Sequence, residues 1–133
     1  GHQGNPVNGI TLQHRESREL DLPGLVRALG VEDVAVVNPM DLKATRAALK
    51  AAAQNADELS VIIFCSPCVL LSKTHEPALV VSSDCRACGA CTLIGCPAIS
   101  RDEDGKAHID ANLCVGCEQC SQTCAFGCIG KAE

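Results

Sequence analysis

The rhythm of apolar and polar positions changes partway along the chain. Val34-Ala35-Val36-Val37 is a short, mostly β-branched apolar run and predicts a buried strand. Leu42, Thr45, Leu49 and Ala52 then recur at i, i+3, i+7 and i+10, which predicts a helix over 41–54 with one inward face. Lys43, Arg46 and Lys50 fall outside that row and read as a solvated face, not a binding site. Leu59–Phe64 is a second apolar run and predicts a second buried strand. Upstream, Asp21 suits the N-cap of a short helix over Leu22–Leu29, with Pro23 in its first turn and Gly30 at its C-terminal end. A strand–helix–strand unit with apolar strands implies parallel pairing under a crossover helix. Two strands do not make a stable sheet domain by themselves, so this segment is expected to be the edge of a larger sheet.

The polar stretch Ser72-Lys73-Thr74-His75-Glu76-Pro77 reads as a linker. It divides the chain into an α/β segment, residues 1–76, and a second domain, residues 77–133. In the second, apolar positions are few. Short strands are expected near Ile99–Ser100 and Ala107–Asp110, joined by a turn at Asp102-Glu103-Asp104-Gly105 whose charges face water. Cysteine takes the place of a conventional core. The chain has 11 Cys in 133 residues, with two Phe and neither Tyr nor Trp. Metal binding can supply the missing folding free energy, so this half is expected to fold poorly without its metal.

Eight of those cysteines form two runs. Cys85, Cys88, Cys91 and Cys96 read C-x2-C-x2-C-x4-C, and Cys114, Cys117, Cys120 and Cys124 read C-x2-C-x2-C-x3-C. Three thiolates packed this closely suit a [4Fe–4S] cube, whereas structural zinc sites favour two separated pairs of ligands. In two-cluster ferredoxins the fourth Cys of each run ligates the other cluster. That pattern assigns Cys85, Cys88, Cys91 and Cys124 to one cluster, and Cys114, Cys117, Cys120 and Cys96 to the other. The small residues between the thiols let backbone N–H groups turn towards sulfur, which tunes the reduction potential. The expected architecture is therefore an α/β segment, the edge of a parallel sheet with helices, followed by a small α+β two-cluster ferredoxin-like domain. Cys65, Cys68 and Cys128 are left over. Cys68 is expected as a small buried hydrophobe at a strand end, Cys65 as incidental, and Cys128 as an alanine-like packing residue near Cys124. Phe126 is expected as core packing beside a cluster.

Charge narrows the partners. The formal net charge is −5, and each oxidised cluster with its four thiolates adds −2, so the loaded chain is nearer roughly −9. Such a surface argues against nucleic acid and anionic membranes and suits a basic redox partner. No apolar run reaches the length of a membrane span. Nothing resembles a signal peptide, and reduced thiols point to the cytoplasm.

Leu29-Gly30-Val31-Glu32-Asp33-Val34, then Val37-Asn38-Pro39-Met40-Asp41-Leu42-Lys43, then Val61-Ile62-Ile63 with Pro67-Cys68, and then the two cysteine runs, resemble the C-terminal part of the α subunit of indolepyruvate ferredoxin oxidoreductases. The extra residue in Thr92-Leu93-Ile94-Gly95 before Cys96-Pro97 is similar to that family too. The resemblance implies a thiamine-diphosphate enzyme that oxidatively decarboxylates aryl-pyruvates with coenzyme A and passes electrons through its clusters to an external ferredoxin. Gly1-His2-Gln3-Gly4-Asn5-Pro6 looks like the loop beyond the family's Mg²⁺–diphosphate site, which makes His2, Gln3 and Asn5 candidates for the edge of the thiamine site. The chain departs from the family as well. It has no initiator Met and no Gly-Asp-Gly segment for Mg²⁺. Val7-Asn8-Gly9 stands where Pro-Gly-Thr-Gly is usual, and Ala125 replaces a Pro. The resemblance thus implies a piece or subunit of such an enzyme, whose thiamine diphosphate and Mg²⁺ complete only with the remaining portion. The rival readings are a free-standing two-cluster electron carrier and a zinc-stabilised interaction protein.

Overall fold

The computed structural model describes residues 5–72 and 76–132. It is a small α+β structure with short two-stranded sheets. It divides into two compact units, one running to Leu71 and the other beginning at Ser72.

In the first unit, Asp21 Oδ1 accepts from Gly24 N at 2.9 Å and starts helix α1, Leu22–Ala28. Pro sits in its first turn, where the missing N–H costs no helical bond. Strand β1 (Asp33–Val37) leads through Asp41, which caps Ala44 N at 2.9 Å, into α2, Leu42–Gln54. The chain returns as β2, Ser60–Phe64, parallel to β1 with Asp33 opposite Ser60 and Val37 opposite Phe64. The crossover arrangement is the one that the apolar runs imply.

Burial corrects two expectations. Both strands were expected to be buried, but every residue of β1 and β2 keeps solvent access, with Val36 54% exposed. Among the described residues no third strand pairs with the two, and two strands with α1 and α2 cannot cover both faces of a sheet. On α2 the half-buried row is Leu42, Thr45, Ala48 and Ala52, while Leu49 is exposed. The small Ala48 takes the inward position one residue before the expected Leu49. Lys43, Arg46 and Lys50 are exposed.

In the second unit, β3 (Leu79–Val81) pairs antiparallel with β6 (Ile129–Lys131), and β4 (Ile99–Arg101) with β5 (Ala107–Ile109). The β4–β5 turn is held by Asp102 N to Lys106 O at 2.9 Å and by Lys106 N to Asp102 Oδ1 at 2.8 Å. A 3-10 helix, Ala90–Ile94, follows the first cysteine loop, and α3, Gln119–Thr123, follows the second. Leu79, Cys91, Cys120 and Ile129 form the buried cluster, with Ile99, Ile109, Cys114 and Cys124 against it. Thiols therefore occupy positions that aliphatic side chains fill in an ordinary core.

Candidate metal centres

The two cysteine loops share one backbone design. Ala87 and Gly89 have φ of 53° and 74°, and Gly116 and Glu118, each 29 positions later, have φ of 69° and 60°. Left-handed residues are uncommon outside glycine. Four at matched places mark a repeated conformation, and such turns aim successive N–H groups to one side, where they face an anion or an anionic cluster. The sequence repeat is thus a repeat of backbone shape as well.

Two cavities follow from it. Cys85, Cys88, Cys91 and Cys124 line the first, together with Cys128 and Phe126. Cys96, Cys114, Cys117 and Cys120 line the second. Each gathers three thiols from one run and the fourth from the other. The sheet of β3 and β6 brings this about on one side: Ser82 N donates to Cys128 O at 2.8 Å, which holds the strand leaving Cys124 beside the loop entering Cys85. Among the described residues, no three Cys, His, Asp or Glu converge closely enough to share a single metal ion.

The thiols are not electrostatically alike. Burial, reinforced by Cys85, Cys124 and Cys88, pushes Cys91 above its ordinary value. Burial, with Cys117 next, raises Cys120 to about 11. Cys124 is opposed by burial too, yet N–H donors of Cys128, Phe126 and Gly127 and the Cys128 thiol outweigh it and hold Cys124 low. The Cys128 N–H reaches Cys124 Sγ at 3.3 Å, and Leu79 N–H reaches Cys114 Sγ at 3.5 Å. Sulfurs that accept N–H bonds hold negative charge more easily.

The remaining candidates fall elsewhere. Cys128 is buried on the first cavity, as an alanine-like neighbour of Cys124 would be. Phe126 lines the same cavity but is 57% exposed, so it is not core packing. Cys65 and Cys68 are both exposed, which corrects the expectation of a buried Cys68: β2 ends at Phe64 and the chain runs outward before the 3-10 turn Val69–Leu71. Asn5 uses its side chain on Val7 N at 2.9 Å, capping the 3-10 turn Pro6–Asn8. His2 and Gln3 lie outside the described residues. The sequence reading missed Arg101 and Arg86 on the first cavity and Glu118 on the second. Strand β4 carries Arg101 back over the first loop, a placement that no motif signals.

Comparison with known proteins places these loops in a lineage. The subunit IorA of indolepyruvate oxidoreductase from Methanothermobacter thermautotrophicus is 37% identical over 131 residues, 96% of this chain and 20% of that protein. The chain belongs with the IorA subunits, as a homologue of one part of them. The IorA of Thermococcus kodakarensis is 34% identical over 136 residues, covering 95% of this chain and 21% of its own length. That of Archaeoglobus fulgidus is 34% identical over 140 residues, covering 100% and 22%. The chain spans about a fifth of the length of the curated IorA relatives it matches. No family model and no solved structure matches it. Among the described residues no helix is long and apolar enough to cross a membrane.

Proposed function

We propose that residues 77–133 hold two [4Fe–4S] clusters and relay electrons within an indolepyruvate:ferredoxin oxidoreductase, towards an external ferredoxin. The observation that carries this reading is the lining of the two cavities by crossed cysteine quartets. Cys85, Cys88, Cys91 and Cys124 would hold one cluster, and Cys96, Cys114, Cys117 and Cys120 the other. Such a cluster supplies one-electron acceptance and release. Four thiolates on one zinc, each at about 2.3 Å, would stand roughly 3.8 Å apart. Among the described residues no three Cys, His, Asp or Glu converge in that way, and the close C-x2-C-x2-C spacing of both runs is what supports a cluster. The chain's own residues exclude water through Leu79, Ile99 and Ile129, and they direct N–H groups at Cys114 and Cys124.

Thiamine diphosphate and Mg²⁺ belong, in this reading, to the remaining portion of the enzyme. The substrate is taken from the name that the IorA relatives carry, indolepyruvate oxidoreductase, and the ferredoxin from the resemblance above alone. The cytoplasm is the compartment that keeps such thiols reduced.

Anaerobic iron and sulfide analysis tests the reading. We expect about eight irons per chain; stoichiometric zinc, or a stable content near four irons, overturns it. The crossing has its own test. Cys96→Ser should damage the cluster on Cys114, Cys117 and Cys120, and loss confined to the cluster on Cys85, Cys88 and Cys91 would refute it. Cys65→Ala and Cys68→Ala should keep the full iron content.

A further inference from the structure

The two cavities carry opposite charge. Arg86 and Arg101 line the first, and Glu118 lines the second. Arg101 is exposed and reaches back to the loop: its Nη2 donates to Thr92 Oγ1 at 3.4 Å, and Thr92 Oγ1 in turn donates to Gly89 O at 2.8 Å. A Cβ built on Gly89 would land on the Arg101 guanidinium. The missing side chain at Gly89, inside the loop between Cys88 and Cys91, is what admits the cation. At the matched position of the second loop stands Glu118, a carboxylate in place of a space for a cation. Glu118 Oε1 meets Lys131 Nζ at 3.4 Å, but Lys131 also binds Glu76 at 3.0 Å. The trio of Glu118, Lys131 and Glu76 therefore keeps a net negative charge.

We propose that Arg101, with Arg86, makes the first cavity the site of higher reduction potential, and that Glu118 holds the second lower. This rests on the cluster reading above. Reduction adds one negative charge with no proton required. A fixed cation beside the site stabilises the reduced form, and a fixed anion opposes it. The Cys128 N–H on Cys124 Sγ at 3.3 Å acts in the same direction as the arginines, and the longer Leu79 N–H contact to Cys114 Sγ, 3.5 Å, offsets it in part on the second side. When one electron is present, the second cluster is oxidised and the first is reduced, and the electron rests on the Cys85–Cys124 side. The chain is then a directional step and not a pair of equivalent stores. Arg101 is a positioning charge, since it contacts Thr92 and the Gly89 loop and ligates nothing.

The test is a redox titration of the iron-loaded full chain, followed by EPR, after iron and sulfide have been assayed. The wild type should show two separate one-electron waves. Arg101→Gln should lower the upper wave alone, by about tenfold in the reduced-to-oxidised ratio, or about 59 mV. Arg101→Lys should restore it, and Glu118→Gln should raise the lower wave alone. If Arg101→Gln loses iron, Arg86→Gln must move the upper wave downward. Coincident waves in the wild type, or an upper wave unmoved by loss of the arginine charge, overturn the inference. Iron and sulfide well short of eight each in the wild type overturn the cluster reading itself, which separates the two failures.

Discussion

Gly116 and Gly95 have nearly the same left-handed backbone, with φ of 69° and 68°, but different surroundings. A Cβ on Gly95 would meet nothing within 4 Å, whereas one on Gly116 would stand 2.5 Å from Glu76 Cβ and 2.9 Å from the carbonyl oxygens of Glu76 and Pro77. Gly95→Ala should therefore cost only the backbone term, about 1 kcal/mol. Gly116→Ala adds a clash with main chain that cannot swing aside, so its cost should be about 2–4 kcal/mol. Denaturant midpoints of the two iron-loaded variants check this, and equal losses would refute it. The eight thiols were legible at this scale because ligand spacing is a property of sequence. Glu118 was not, since nothing in its neighbours reveals a non-glycine residue in a left-handed turn.

At the scale of elements, one polar network fixes the register of the parallel pair. Asn55, the residue that ends α2, donates from Nδ2 to Asp33 Oδ2 at 3.2 Å and to Ser60 Oγ at 3.3 Å, and Ser60 Oγ donates to Asp33 Oδ2. Asp33 and Ser60 are the first register partners of β1 and β2. The Ser60 hydroxyl, and then the Asn55 amide, hold the Asp33 carboxyl below its ordinary value of 3.8. A depressed carboxylate stabilises the folded state above the unfolded pKa, and that contribution is lost as pH falls through the folded value. Amide exchange in β1 and β2 should thus accelerate as pH drops below about 4, after correction for intrinsic rates. In Asp33→Asn this added acceleration should vanish; its persistence would assign the acid sensitivity to another group. The strands and helices were legible from periodicity and caps. The network was not, because it joins side chains 22 and 27 residues apart.

For the whole molecule, the second unit depends on its thiols as core. Cys91 and Cys120 stand with Leu79 and Ile129 in its buried cluster, and three-residue strands do little to hold it. Without metal, those thiols are small protonated side chains, their ionisation opposed by burial, and the ligand bonds that would tie the loops together are missing. Removing iron with a chelator under reducing conditions should release amide protection across 77–132 while leaving the protection of β1, α2 and β2 unchanged. Parallel loss in both units would show instead that they unfold as one.

Local patterns determined most of the inventory. Caps at Asp21 and Asp41, the apolar runs, the β4–β5 turn and the matched cysteine loops each depend on residues near in sequence, so they can be read directly. The spacing of the two runs already paired the thiols into the quartets that line the cavities. The tertiary structure alone decided that the strands of the first unit stay partly exposed, and that Cys68 and Phe126 face solvent. It also decided that Arg101 lies over the Gly89 loop. These outcomes turn on which distant segments meet, and neither periodicity nor spacing encodes such meetings.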